Sequence, residues 1–236
     1  MKDDSSIYFH HAEQYERLVS REDYQGNLPK TIAAILPLEK LSVVEMGAGT
    51  GRVTRLLAPV VRDILALDNS LPMLRIAQSA LINMGCNNYN LAVGDHRHLP
   101  VKDNIADLII SGWSLCYLVS QGEGEPYPDW QFSLETATNE IGRILRIGGT
   151  CVIIEKLGTG FEAQHLPEHL KIYYQWLNNR GFLSTWTRTD YRFHSLIEAE
   201  ELTRFFFGDK LAQDVIKNQW TILPECTGIW WKKKLN

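Results

Sequence analysis

The chain has 236 residues, of which 44% are hydrophobic, and it carries a formal net charge of -4 with a pI of about 6.0. This length and composition predict one globular domain with a sizeable core. A slightly acidic chain without a long basic block gives no support for a nucleic-acid partner. No apolar run approaches the roughly 18 residues of a membrane span.

The four cysteines are far apart and form no Cys-x-x-Cys pair. This spacing argues against metal or disulfide use and favours free thiols in a reducing compartment. Because no signal peptide is recognisable, we expect a cytoplasmic protein. We interpret residues 1–236 as a single domain, whose oligomeric state these features do not determine.

The N-terminal segment, residues 1–29, is polar and aromatic, and a short helix is predicted over residues 12–21. The stretch Val-Val-Glu-Met-Gly-Ala-Gly-Thr-Gly-Arg follows at residues 43–52. It is typical of a buried strand, a tight glycine turn and the start of a helix. Glycines accept positive φ and let the backbone approach a ligand closely. A dinucleotide fingerprint would need a glycine at Arg52, which counts against a nicotinamide-dependent oxidoreductase.

Strands and helices alternate beyond this turn. Further strands are predicted over residues 63–68, 90–95, 103–111, 150–156, 185–193 and 228–233. Helices are predicted to reach residue 83 and to cover residues 132–145, 168–179 and parts of 196–218. This alternation favours a mostly parallel sheet with helices on both faces. Such sheets bind ligands beyond the carboxyl ends of their strands, where the glycine turn, Asp68, Asp95 and Ser111 should meet.

Three motifs carry a family resemblance. The pattern Glu-x-Gly-x-Gly-x-Gly at residues 45–51, the acid Asp68 and the Gly-Asp-x-x-x-Leu-Pro segment at residues 94–100 resemble the class I S-adenosylmethionine (SAM)-dependent methyltransferases of the small-molecule "type 11" kind. The resemblance covers roughly residues 28–156. It implies a Rossmann-like, seven-stranded, mostly parallel sheet whose last strand is antiparallel. It also implies SAM as cofactor, S-adenosylhomocysteine (SAH) as product and a small-molecule methyl acceptor.

The resemblance assigns roles to individual side chains. Glu45 orients the methionine amino group, Asp68 accepts from the ribose hydroxyls, and Asp95 accepts from the adenine amino group. The residues predicted to bind the cofactor are Tyr15, Glu45, Gly47, Ala48, Gly49, Gly51, Asp68, Asn69, Met73, Gly94, Asp95, His96, Ser111 and Trp113.

Some of these residues have a second interpretation. Asp68 is also consistent with a strand-end or helix-cap acid, and Trp113 with a core residue. His96 stands where the family more often has a small or aliphatic side chain. His96 and His98 alternate, but without a third ligand nearby we predict no metal site.

The sequence does not identify a general base. Methyl transfer is a displacement from a good leaving group, so positioning contributes more than proton transfer. The candidates are Tyr8, His10, His11, Tyr15 and Tyr117. An N-terminal lid with a tyrosine is frequent in such families, so we expect residues 1–29 to form a lid and favour Tyr15.

A helical insertion, residues 194–227, is predicted between strands six and seven. It either contributes to a substrate lid or packs its aromatic residues onto the sheet. These residues are Phe205, Phe206, Phe207 and Trp220. Trp230 and Trp231 on the last strand should point to opposite faces.

Two other functions fit the same motifs. One is a SAM-binding sensor or partner without turnover, which an intact glycine turn does not exclude. The other is methylation of tRNA or protein. Against that activity stand the lack of an Asp/Asn-Pro-Pro-Tyr-type motif, of a Pro-Cys pair and of a basic patch.

Overall fold

The structure is a computed structural model that describes residues 10–120 and 124–235. The strands of these residues are β1 (Ser42–Met46), β2 (Asp63–Asp68), β3 (Tyr89–Val93), β4 (Ala106–Gly112), β5 (Leu145–Thr159), β6 (Leu183–Arg188), β7 (Tyr191–Arg192), β8 (Ile222–Leu223) and β9 (Glu225–Lys233). The α-helices are α1 (Ala12–Val19), α2 (Asn27–Ile35), α3 (Arg52–Leu57), α4 (Leu71–Asn83), α5 (Trp130–Ile144), α6 (Lys171–Asn179), α7 (Leu196–Phe207) and α8 (Asp209–Asn218). Short 3₁₀ helices cover Leu115–Leu118 and Glu168–Leu170.

One seven-stranded sheet has the strand order β3-β2-β1-β4-β5-β9-β6. The strands β1 to β5 run parallel, and β9 is antiparallel to its two neighbours, β5 and β6. The predicted fold class, with an antiparallel last strand, is therefore confirmed. The last strand of the chain lies inside the sheet, because it inserts between β5 and β6.

The two faces of the sheet bury alternate residues of each strand. Val44 and Ile153 belong to a cluster covered by α5 and α6, whereas Val43 and Val152 belong to a cluster covered by α2, α3 and α4. Helices thus cover both faces, as the strand-helix alternation predicted. Trp230 packs in the first cluster and Trp231 against the second, which confirms that they point to opposite faces.

The prediction of one continuous strand over residues 185–193 was wrong. The strand β6 ends at Arg188, and β7 leaves the main sheet to pair with β8. The break is stabilised by Asp190, whose Oδ1 accepts from the backbone N–H of Glu225 at 2.9 Å while its carboxylate pairs with Arg188. The connection between β6 and β9 therefore starts near Thr189. The strand β9 begins at residue 225, three residues earlier than predicted.

The ends of three other strands also differ from the prediction. The strand β3 covers Tyr89–Val93 instead of residues 90–95. The strand β4 begins at Ala106 because a turn with positive φ at Asn104 precedes it. The strand β5 covers Leu145–Thr159 and is longer at both ends than residues 150–156.

The connection between β6 and β9 forms a separate apolar cluster with the N-terminal helix. Leu18 of α1 packs with Phe193, Leu202 of α7 and Val215 of α8. In the described ranges, no helix is both long and apolar enough to cross a membrane.

Candidate active site

The glycine turn joins β1 to α3 at the carboxyl edge of the sheet. The backbone N–H groups of Gly47 and Ala48 donate to the carbonyl of Leu67, at 2.8 and 2.9 Å, and tie the turn to β2. Gly47 has φ +74°, and a Cβ there would lie 1.8 Å from Oγ of Ser114. A side chain at residue 47 would therefore be strained and would also collide with the loop after β4.

A cavity of about 390 Å³ opens beside this turn. This volume is within the range of small-molecule sites. Twelve of the fourteen residues predicted to bind the cofactor line it. They are Tyr15, Glu45, Gly47, Ala48, Gly49, Asp68, Asn69, Met73, Gly94, Asp95, His96 and Trp113.

Gly51 and Ser111 are not among the lining residues. Gly51 faces α4, where a Cβ would come within 3.0 Å of the Ala77 methyl group, so its small size serves helix packing. Ser111 is buried in β4, where it pairs with Met46, and its Oγ has no hydrogen-bond partner among the described residues.

Nine further residues line the cavity that were not predicted to bind the cofactor: Thr50, Arg52, Val53, Arg97, Gly112, Ser114, Tyr117, Leu118 and Tyr127. Thr50, Arg52 and Arg97 neighbour predicted residues in the sequence and could have been found on that basis. Ser114, Tyr117 and Leu118 lie in or directly before the 3₁₀ helix after β4, which the sequence did not indicate. The Tyr127 N–H donates to the carbonyl of Val119, just beyond this helix, at 2.8 Å.

The Asp68 carboxylate already holds two backbone groups. Its Oδ2 accepts from the N–H of Gly49 and its Oδ1 from the N–H of Ser70, both at 2.8 Å. Burial raises the pKa of Asp68, and these hydrogen bonds oppose the shift. Each carboxylate oxygen keeps a further lone pair for a ligand hydroxyl. Asp68 therefore caps the turn before α4 and also faces the cavity, so both interpretations of this acid are consistent with the structure.

Asp95 is paired with its near neighbour Arg97. The guanidinium donates to both carboxylate oxygens, at 2.9 and 2.7 Å, and the Arg97 N–H donates to Oδ1 at 2.8 Å. The hydrogen bonds from Arg97 lower the pKa of Asp95 to about 2. The Asp95 carboxylate is thus an anion at neutral pH.

Glu45 is 1% exposed at the end of β1. Its Oε2 accepts from Oγ1 of Thr54 at 2.6 Å. Burial raises the pKa of Glu45 to about 8. A buried carboxylate facing a cavity is stabilised by a cationic group, which makes this end of the cavity suitable for an amine.

His96 bridges the loops after β3 and β4. Its Nε2 lies 2.6 Å from Oγ of Ser114, and its Nδ1 has no hydrogen-bond partner among the described residues. Burial lowers the pKa of His96 to about 4, so the imidazole is neutral at physiological pH. In the part of the chain that the structure describes, no group of three His, Cys, Asp or Glu residues is arranged to hold a metal ion.

Arg52 enters the cavity from the start of α3. Its guanidinium lies over the indole of Trp113, 3.2 Å from the ring centroid, and forms a buried ion pair with Glu22. Trp113 itself has φ +50°, which is rare for a bulky side chain and is found where surrounding structure imposes it. Trp113 both lines the cavity and packs against the core, so both interpretations describe part of its environment.

The candidate bases are distributed unevenly around the cavity. Tyr15 and Tyr117 line it, whereas His10 and His11 do not. Tyr8 lies outside the described residues, as do the first nine residues of the expected lid. Tyr15 projects from α1, and burial raises the pKa of its phenol. Tyr15 is thus protonated at neutral pH and can serve as a hydrogen-bond donor.

The central part of the chain is similar to known methyltransferases. Residues 44–153 match the profile of the family described as "Methyltransferase domain". Phosphoethanolamine N-methyltransferase 1 of Caenorhabditis elegans is 34% identical over 100 residues, which are 42% of this chain and 21% of that protein. Demethylmenaquinone methyltransferase of Lactiplantibacillus plantarum is 28% identical over 151 residues, which cover 61% of this chain and 58% of that protein. The chain therefore spans less than two thirds of the length of these two relatives.

Among solved structures, the YcgJ protein of Bacillus subtilis has the same fold. The TM-score is 0.58 at 13% identity, and the match covers 89% of this chain and 99% of the other. The segment that matches the methyltransferase profile, residues 44–153, runs from β1 to β5 and contains the glycine turn, Asp68 and Asp95. The central part of the chain is therefore similar in sequence to the methyltransferase family, and the chain has the same fold as YcgJ.

Proposed function

We propose that this chain binds SAM in the cavity beside the glycine turn and transfers its methyl group to a small-molecule acceptor. The observation that carries the proposal is the convergence of twelve predicted cofactor residues on one cavity at the carboxyl edge of the sheet. They come from α1, from the loops after β1 to β4 and from α4, which are distant in sequence. A glycine turn that served only packing would not need this convergence.

The residues present fit SAM chemically. The buried Glu45 provides an acceptor for an ammonium group, and Asp68 has free lone pairs for ribose hydroxyls. Asp95 and the neighbouring loop provide further polar partners in the cavity. When bound, SAM supplies an electrophilic methyl group on a sulfonium. The protein then has to orient a nucleophile and exclude water, which can contribute roughly 7–11 kcal/mol of the barrier.

The proposed acceptor is a small molecule. By their names, the two relatives act on phosphoethanolamine and on demethylmenaquinone. These acceptors differ in chemistry, so the relatives support the class and not one compound. The cytoplasmic location, the absence of a nucleic-acid partner and the individual residue roles stay predictions.

The test is calorimetric titration of the protein with SAH and with SAM, for wild type and for Asp68→Asn. We expect micromolar binding to wild type and at least about tenfold weaker binding to the variant, because a carboxylate that accepts from ribose hydroxyls is lost. Asp63→Asn is the matched control, since Asp63 begins the same strand at its opposite end. If wild type is folded and binds neither compound, or if Asp68→Asn binds as well as Asp63→Asn, the proposed site is wrong. Tight binding without SAH formation in the presence of a metabolite extract would indicate a sensor.

A further inference from the structure

The side chains that line the cavity include an acidic group and an aromatic group, and the aromatic group bears on the nature of the methyl acceptor. Three carboxylates line it, Glu45, Asp68 and Asp95, at the ends of β1 and β2 and just beyond β3. The proposed cofactor uses all three. The remaining lining is built largely from α1, α3 and the segment after β4, and it is aromatic: Tyr15, Trp113, Tyr117 and Tyr127.

The charge that an acceptor would meet beside these aromatic residues is positive. Arg97 also lines the cavity, but its guanidinium is held by both carboxylate oxygens of Asp95. Arg52 is therefore the charged side chain that the described lining offers to an acceptor. An amine acceptor would find no carboxylate there that the cofactor does not already use.

Arg52 is held in place from two sides. The face of its guanidinium is covered by the indole of Trp113, which adopts a strained backbone conformation in doing so. Its Nη1 pairs with Glu22, a side chain that is 2% exposed and also accepts from Oγ1 of Thr189 at 3.1 Å. A side chain fixed in this way has little conformational entropy to lose when a ligand binds.

The ion pair with Glu22 leaves part of the guanidinium available. An arginine carries five N–H donors, and the ion pair with Glu22 engages Nη1. No hydrogen bond among the described residues uses Nε or Nη2 of Arg52. A planar guanidinium that lines a cavity and has available N–H donors is suited to bind a carboxylate or phosphate oxygen.

We propose that Arg52 anchors the methyl acceptor, and that the acceptor is a flat, largely apolar small molecule carrying an anionic oxygen group. The inference rests on the proposed function, since it assigns the aromatic part of the same cavity. Tyr117 and Tyr127 pack against the body of the acceptor, together with the sides of Tyr15 and Trp113 that the cofactor leaves open, and Arg52 receives its carboxylate or phosphate. Arg52 acts in binding and orientation, and no proton transfer is assigned to it.

The experiment compares probes that share an aromatic ring and differ in charge. They are para-hydroxybenzoate, phenyl phosphate, the neutral para-hydroxybenzamide and the cationic tyramine. Each is titrated into SAH-saturated protein, and binding is measured by calorimetry. We expect the better of the two anions to bind wild type at least about tenfold more tightly than the amide or the amine, because charge-assisted hydrogen bonds are lost with the latter. The stronger of the carboxylate and phosphate arms identifies the anionic group.

The variants are Arg52→Gln, Arg52→Lys and Arg55→Gln. Arg55 is the matched control, because it lies on the same helix and pairs with Glu16 of α1 but does not line the cavity. We expect the preference for anions to disappear in Arg52→Gln, to be reduced in Arg52→Lys, which keeps the charge but not the fork, and to persist in Arg55→Gln. SAH affinity is measured first for every protein. If Arg52→Gln does not fold, Arg52→Lys is the variant that tests the preference for anions.

Four results would overturn the inference: retention of the anion preference in Arg52→Gln, its loss in Arg55→Gln, equal or tighter binding of the amide or tyramine, and failure of both anions to bind wild type. These results are distinguishable from failure of the proposed function, which would appear as absence of SAH binding to wild type.

Discussion

Glu45 shows how a single residue connects the fold to ligand chemistry. Its position at the end of a buried strand removes its carboxylate from water, and burial raises its pKa to about 8. At neutral pH most of this group is protonated before a ligand binds. A ligand ammonium beside it would favour the charged form, so its pKa should fall on binding.

This shift predicts a proton release. Since the bound state holds fewer protons than the free protein, SAH affinity should increase as the pH rises from 6 towards 8, by up to about tenfold per pH unit. Calorimetry at pH 7 in phosphate and in Tris measures the released proton through the difference in buffer ionisation enthalpy. The ligand amino group is itself protonated at this pH.

Glu45→Gln is the control for that measurement. It keeps an acceptor for Thr54 but cannot titrate. We expect its binding enthalpy to be the same in both buffers. An unchanged buffer dependence in Glu45→Gln would assign the proton to another group and would contradict the role of Glu45.

At the scale of elements, the N-terminal helix and the insertion form one unit. The helix α1 carries Tyr15 into the cavity, and the Phe206 ring of α7 lies 5.5 Å from the Tyr15 ring. Ion pairs join α1 to both neighbours: Arg55 of α3 with Glu16, and Arg17 with Glu201 of α7. No residue of the connection after β6 lines the cavity. We therefore propose that the insertion supports α1 from behind and contacts no ligand itself.

Phe206→Ala tests this arrangement. Loss of the ring should remove support from α1 and Tyr15, weaken SAH binding several-fold and lower the free energy of unfolding by about 1–2 kcal/mol, since Phe206 is only partly buried. Hydrogen exchange of residues 10–20 should increase. The measurements are calorimetry, urea unfolding and exchange detected by mass spectrometry.

Ile197→Ala, on the same helix but 79% exposed, is the matched control and should change none of these quantities. If Phe206→Ala keeps wild-type SAH affinity and exchange, the insertion does not support α1. The aromatic residues would then only pack the insertion together.

At the scale of the whole molecule, buried carboxylates make stability depend on pH. Burial raises the pKa of Glu155 to about 7, that of Glu45 to about 8, and that of Glu225 above its ordinary value. The folded state therefore binds more protons than the unfolded chain between about pH 4.5 and these pKa values. Since the stability from each group is lost as the pH rises through its folded pKa, the ligand-free protein should be less stable at pH 8 than at pH 5.5.

Glu155→Gln measures the contribution of Glu155 to this pH dependence of stability. Oε1 of Glu155 accepts from Tyr173 and from the Cys116 N–H, both at 3.1 Å, and an amide oxygen can replace it. Urea unfolding at the two pH values should show a pH effect smaller by about 2 kcal/mol than in wild type. The control is Glu168→Gln, on an exposed side chain, which should keep the wild-type difference. An equal pH effect in Glu155→Gln would show that the carboxyl is not protonated in the folded state.

Much of the fold, and most of the residues that line the cavity near the glycine turn, could be predicted from the sequence because both depend on local patterns. Apolar runs that end in Asp68 or near Asp95 indicate strands with acids at one edge, and the glycine spacing indicates a turn. These signals need no knowledge of distant residues. The strand ends were less accurate, because turns such as that at Asn104 depend on backbone conformation.

The surroundings of Arg52 were decided by tertiary structure. The Arg52 guanidinium lies on Trp113, and its partner Glu22 comes from the N-terminal segment, 30 residues earlier in the chain. The insertion was recognised in the sequence, but its packing against α1 follows from the break after β6. The sequence by itself determined the periodic elements and the motifs at strand ends, because these are set by neighbouring residues. Only the tertiary structure decided which side chains meet across the cavity, since such contacts depend on how elements remote in sequence pack together.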